Sequence, residues 1–176
     1  SILKNLVACF CGREVSFEDC CGPLLAGQTI AQTAEQLMRS RFSAFCTGNA
    51  DYLITSHHSS KRSANDKQEL EDSFKQSEWL QLTIIESNMG LASDSHGEVE
   101  FVAIYRQNEE VSRLHERSQF VKENGLWFYV DGVLNALPDN DYQNVMNPAG
   151  VVAVENSNGA TDKPVVCVIQ QNNHGR

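Results

Sequence analysis

Four of the chain's six cysteines fall within thirteen residues, Cys9-Phe10-Cys11-Gly12-Arg13-Glu14-Val15-Ser16-Phe17-Glu18-Asp19-Cys20-Cys21. The pattern is C-x-C-x(8)-C-C. Thiolates bind borderline and soft metals, and a tetrahedral zinc ion holds four of them at about 2.3 Å. A turn between Cys9 and Cys11 lets both face one ion. Gly12 accepts the positive φ that such a turn often needs, and lets backbone N–H groups approach charged sulfurs. The eight-residue excursion then returns Cys20 and Cys21 as the remaining ligands, with Phe17 packed under the site. Four sulfur ligands leave no open position, so the expected ion is structural and not hydrolytic.

Other chemistries compete for the same thiols. A pair of disulfides needs an oxidising compartment, yet Ile2–Ala8 is too short for a secretory hydrophobic region with its flanks. Cytoplasm is the expectation, and thiols there stay reduced. A redox pair calls for C-x-x-C after a βαβ pattern, and neither is present. Four unliganded thiols so close together are an oxidation liability, and iron–sulfur proteins use other spacings. Zinc held by Cys9, Cys11, Cys20 and Cys21 is therefore the expected cofactor.

The thirteen residues resemble the SEC-C motif, a small zinc module also found at the C-terminus of the SecA translocation ATPase. Its usual form is C-P-C-G-S-G, then Tyr or Phe, then C-C or C-H. Cys9, Cys11, Gly12, Phe17, Cys20 and Cys21 fall in register with it. Phe10 stands where the motif has Pro, Arg13-Glu14 where it has Ser-Gly, and Glu18-Asp19 where it has a basic pair. The motif docks on partners partly through Lys and Arg, so the acidic pair departs from that mode.

The remaining candidates are single residues. In Val111–Glu123, a strand-like run, Leu114, Glu116, Ser118 and Phe120 share one parity, while Arg113, His115 and Arg117 take the other. If Leu114 and Phe120 face the core, so does Glu116, and a buried carboxylate needs a partner. Arg39 or Arg41, on a preceding helix, is the expected supplier. Glu116 then reads either as a general base or as half of a structural ion pair, and the structural role is favoured. His57-His58 read as solvent-facing, and Asp131 before Gly132 reads as a turn residue. The chain has no G-x-S-x-G, Gly-rich phosphate loop or H-E-x-x-H.

These residues must be positioned by helices first and strands after. From Ala31, the residues Ala34, Leu37, Met38, Phe42 and Phe45 make one apolar stripe at helical spacing, stopped at Gly48-Asn49. A short helix is expected at Ala50–Ser56 with Tyr52 and Leu53 facing in. After a polar loop at Ser59–Asp66, a third helix places Leu70 and Phe74 one turn apart. From Trp79 the period changes. Leu80, Leu82 and Ile84 alternate with polar or outward positions, Asn88–Gly97 is a turn region, and Val99, Phe101, Ala103 and Tyr105 alternate through a second strand. Asn124-Gly125 is a two-residue hairpin signal joining Val111–Glu123 to Leu126–Val133. The fold class is α+β, with helices packed on one face of a bent antiparallel sheet. Leu37, Phe42, Phe45, Leu82, Phe101, Phe120 and Phe128 are expected to share one core.

Several blocks carry a second resemblance: Leu37–Phe45, Asp51-Tyr52-Leu53, Glu116–Phe120 and Trp127–Gly132. They are similar to the YchJ-like bacterial family, whose members pair an N-terminal SEC-C motif with a nuclear-transport-factor-2-like cone. The resemblance implies a cone that often encloses a cavity, lined here by Glu116 with Arg39 or Arg41. Trp79, Tyr105, Trp127 and Tyr129 suit such a lining, although aromatics on strands are core residues first. Many members end in a second knuckle, which this chain lacks. The expected organisation is a zinc knuckle at 1–28, a cone domain at 29–134 and a polar tail at 135–176. Within the tail, Val151–Val154 and Pro164–Ile169 either form a hairpin, pair with the sheet edge or stay loosely held. Cys46 and Cys167 read as buried inert thiols.

A net charge of −9 argues against nucleic acid as a partner, because nonspecific affinity for phosphates comes from Lys and Arg. No stretch approaches a membrane span. Two functions of different class remain: a protein-interaction module docking through the knuckle, and a small-molecule binder or enzyme using the cone's cavity. Neither oligomeric state nor partner identity follows from the residues.

Overall fold

The structure, a computed structural model, describes residues 8–134. The chain opens on a tight loop. Cys9 N–H donates to Val15 O at 2.7 Å and Gly12 N–H donates to Cys9 O at 3.1 Å. A 3-10 turn, Phe17–Asp19, follows, and the Ser16 hydroxyl accepts from Asp19 N–H to start it. The short helix α1, Gly22–Leu25, begins with Pro23 in its first turn, where a missing N–H costs nothing.

Helix α2 spans Ala34–Thr47, starting later than the apolar stripe suggests because Thr33 caps it. Thr33 Oγ1 accepts from Gln36 N–H at 3.1 Å. Ala34, Leu37, Met38 and Phe42 are buried along one face, and Gly48 ends the helix. Asn49 caps α3, Ala50–Thr55, and α4 covers Asp66–Gln76. The expected loop between them holds a 3-10 turn, Ser59–Lys61.

Strands β1 (Ser77–Met89), β2 (His96–Gln107), β3 (Glu110–Glu123) and β4 (Leu126–Leu134) form one antiparallel meander in sequence order. Asn124 and Gly125 sit at φ 52° and 78°, as a tight hairpin with two left-handed residues requires. Val99, Phe101, Ala103 and Tyr105 turn toward the helices, and so do Leu114, Glu116, Ser118 and Phe120.

In two strands the inward residues differ from the expected set. Trp79 pairs with Tyr105 and Gln81 with Ile104, which leaves Leu80 as an extra residue in β1. Such a bulge re-aims its neighbours. Trp79 and Leu82 both pack on the core, and Leu80 is exposed. In β4, Trp127 and Tyr129 take the inward positions, and Phe128, expected in the core, meets the edge of His58 instead at 6.1 Å. Phe45 is half-buried against the core, while Leu37, Phe42, Leu82, Phe101 and Phe120 lie within it. No helix among the described residues is long and apolar enough to cross a membrane. The expected tail strands and Cys167 lie outside the described residues.

Candidate metal centre and buried polar cavity

The opening loop and the start of α1 bring Cys9, Cys11, Cys20 and Cys21 together, with all four sulfurs within 4.8 Å of one another. Cys11 Sγ lies 3.7 Å from Cys20 Sγ, and Cys20 Sγ 3.9 Å from Cys21 Sγ. Sulfurs on a regular tetrahedron around zinc stand about 3.8 Å apart, so these separations suit one ion. Cys9, Cys11 and Cys21 are buried and Cys20 is partly exposed. The donor set fits a metal, with no position left for substrate.

Ionisation within the cluster is uneven. Hydrogen bonding from Cys21, more than any other cause, brings Cys11 down to about 5. Burial, then the charge of Cys11, pushes Cys20 up to about 11. Hydrogen bonding to Cys11, together with burial, also pushes Cys21 up. Without a cation, Cys11 is the favoured thiolate, and its charge works against ionisation of Cys20 and Cys21. A divalent metal removes that conflict, because its charge offsets the repulsion between sulfurs.

Gly12 is at φ +91°, and a Cβ there would lie 3.1 Å from Leu82 O, so the knuckle loop runs close along the β1 backbone. Arg39 secures the same seam: Nη1 donates to Cys11 O at 2.8 Å and Nη2 to Glu35 Oε1 at 3.3 Å. Ser43 Oγ stands 3.7 Å from Cys9 Sγ. Arg39 therefore ties the knuckle to α2. Beside it, a groove of about 320 Å³ runs between the knuckle and the first turns of α2, with Arg13 and Arg39 on its walls. At the loop's tip, Phe10 is 48% exposed and held edge-to-face by Phe17 at 5.4 Å.

The second arrangement lies inside the cone. A cavity of about 40 Å³ is mostly walled by apolar side chains, with Arg41, His57, Asp66, Glu116, Ser118 and Tyr129 among its lining. Glu116 is buried, as strand parity suggests. Tyr129 Oη donates to Glu116 Oε1 at 3.2 Å, and the Arg41 guanidinium lies over the Tyr129 ring at 4.7 Å. Arg41 Nη1 donates to Leu53 O at 2.8 Å and to Ser56 Oγ at 2.6 Å. Burial brings Arg41 down to about 10, against smaller opposing effects of Tyr129, Tyr52 and Glu116. Gly132 makes room for the carboxylate, since a Cβ there would fall 2.1 Å from Glu116 Oε1. Ser118 shares the inward parity of Glu116, while Asp66 is a cavity residue that reading the sequence did not single out. Asp66 opens an exposed-looking helix, and only the fold brings it to the cavity wall.

His57, expected at the surface, is buried, with Nε2 3.2 Å from Val130 O and its ring against Tyr129. A parallel bridge between His57 and Tyr129 carries the segment after α3 along the edge of β4. His58 meets the expectation better: it is half-buried, with Nε2 2.9 Å from Glu123 Oε1. Burial above all, then Arg41, brings His57 down to about 3 from 6.5. Below pH 6.5 the unfolded chain takes a proton that the folded chain refuses until about pH 3. Stability should be full above that window and fall through it on acidification, by at most about 1.4 kcal/mol per pH unit from this group. Urea denaturation at stepped pH checks this. His57→Gln, which keeps a donor for Val130 O, should flatten the profile between those limits; an unchanged profile would assign the acid sensitivity elsewhere.

A meander sheet curled around α2, with a cysteine knuckle at its head, defines a SEC-C-type module on a nuclear-transport-factor-2-like domain. Residues 33–132 match the family described as "YchJ, middle NTF2-like domain". The chain belongs to the YchJ family. A UPF0225 protein of Photorhabdus laumondii subsp. laumondii is 42% identical over 127 residues, 71% of this chain and 79% of that protein. A UPF0225 protein of Vibrio cholerae serotype O1 is 40% identical over 126 residues, 72% of this chain and 82% of its own length. The solution structure of a SEC-C motif containing protein from Rhodopseudomonas palustris has a TM-score of 0.68 at 34% identity, covering 74% of this chain and 100% of that one. A crystal structure of a SEC-C motif containing protein from Psychrobacter arcticus has a TM-score of 0.62 at 26% identity, covering 76% and 85%.

Proposed function

We propose that this chain is a zinc protein whose knuckle serves as a rigid docking surface for a protein partner. The observation that carries the reading is Phe10. A large aromatic ring between two metal-ligating cysteines is left half exposed and braced by Phe17, which is how interfaces present an anchor at low entropic cost. The ligand set supports a structural metal, since four sulfurs leave it no place for substrate. The adjoining groove, with Arg13 and Arg39 on its walls, gives the partner a polar seat beside the aromatic anchor. The test compares quantitative pull-downs from lysate using wild type, Phe10→Ala and Cys20→Ser. Phe10→Ala should keep its metal and its fold, yet lose by about tenfold the same captured protein that Cys20→Ser loses. Equal capture by wild type and Phe10→Ala would remove the docking role.

A further inference from the structure

We propose that the cone's cavity is a binding site for a small primary amine in its protonated form. Two polar atoms there have no hydrogen-bond partner: Ser118 Oγ, on a residue 0% exposed, and Asp66 Oδ1, on a residue 2% exposed. Buried groups of this kind are expensive to leave unsatisfied, and a guest that satisfies both is correspondingly favoured. Asp66 Oδ2 is already engaged by Ser63 N–H at 2.8 Å, which fixes the carboxylate's orientation.

The charges and tautomers select the guest. The lining sets two carboxylates, Asp66 and Glu116, against one guanidinium, Arg41. Arg41 is occupied by Leu53 O, Ser56 Oγ and the Tyr129 ring. His57 faces the carbonyl of Val130 through Nε2, so that nitrogen carries the proton and Nδ1 is an acceptor. What the cavity offers is thus acceptors, carboxylate oxygens among them, which calls for a cationic donor. The rest of the wall is apolar: Phe42 and Trp79 suit a short alkyl stem, and their ring faces attract a cation. A water needs about 10–15 Å³ by this measure. The cavity of about 40 Å³ therefore takes roughly three heavy atoms, the size of ethylammonium.

The experiment uses the full chain and follows amide shifts by NMR during titration with ethylammonium chloride. Sodium chloride and sodium acetate at matched ionic strength are the controls. Saturable shifts should appear around Asp66, Glu116 and Ser118 with ethylammonium alone. Ser118→Ala should weaken binding about fivefold, the loss of one hydrogen bond. Asp66→Asn should weaken it by about tenfold or more, because an amide N–H₂ would face the ammonium in place of the acceptor. Should Asp66→Asn fail to fold, Ser118→Ala still decides, since its hydroxyl has no protein partner to lose. Absence of saturation, an equal response to acetate, or unchanged affinity in Ser118→Ala would each overturn the proposal. None of these readouts involves the knuckle, so this site and the docking surface stand or fall separately.

Discussion

Protein purified from reducing buffer without chelator is expected to carry one zinc ion per chain, and removing it should unravel residues 9–21. Zinc in four-ligand modules contributes on the order of 10–16 kcal/mol of apparent binding energy in small peptides. The knuckle here has little else to hold it: its own cluster is three buried cysteines with Phe17, Cys20 and Leu25 packed against them. Its side-chain ties to the cone include the seam contacts of Arg39 and Ser43, beside the close passage of Gly12 along β1. Chelation should therefore collapse the amide dispersion of the knuckle and soften the middle of α2, where the Arg39 and Ser43 ties end. The cone should keep a cooperative transition, because Leu37, Phe42, Leu82, Phe101 and Phe120 form a core that includes no cysteine ligand. Cys20→Ser tests the same point without chelator, since one oxygen in place of sulfur weakens a thiolate site. Elemental analysis settles the matter: a stoichiometry near zero in reduced protein would sink the zinc assignment.

How much of this was legible beforehand depends on the range of the interaction. The cysteine cluster, the α2 stripe and the burial of Glu116 are local patterns, readable from spacing or from parity within one strand. Parity failed where the residues themselves do not alternate. In Leu126-Trp127-Phe128-Tyr129-Val130 every side chain is aliphatic or aromatic, so either face could have been the inner one, and Trp127 with Tyr129 took it. Leu80 was misplaced because a bulge is set by pairing with β2, which β1 alone does not announce. The seam contacts of Arg39 join residues 28 positions apart, and His57 is buried by β4, more than seventy residues later. Such partners become visible only in three dimensions.

Tyr129→Phe is expected to destabilise the cone by about 1.5–3 kcal/mol, the range for hydrogen bonds to charged groups. Tyr129 touches both buried charges, Glu116 through its hydroxyl, which donates to Oε1, and Arg41 through its ring. Burial and the neighbouring Glu116 charge raise the Tyr129 hydroxyl well above its usual range, so it stays a donor at every accessible pH. Arg41→Met should cost more, about 3–5 kcal/mol, because it strips a cation from a buried polar set and leaves Leu53 O and Ser56 Oγ without it. Double-mutant cycles separate a relay from a direct pair. Tyr129→Phe with Glu116→Gln should show coupling of about 1 kcal/mol or more, and Arg41→Met with Glu116→Gln distinctly less, as side chains in contact couple most strongly. The reverse ranking, measured by urea denaturation, would restore the direct ion pair. If Tyr129→Phe left the midpoint unchanged, the hydroxyl would have no structural role, and Glu116 would need another account of its burial.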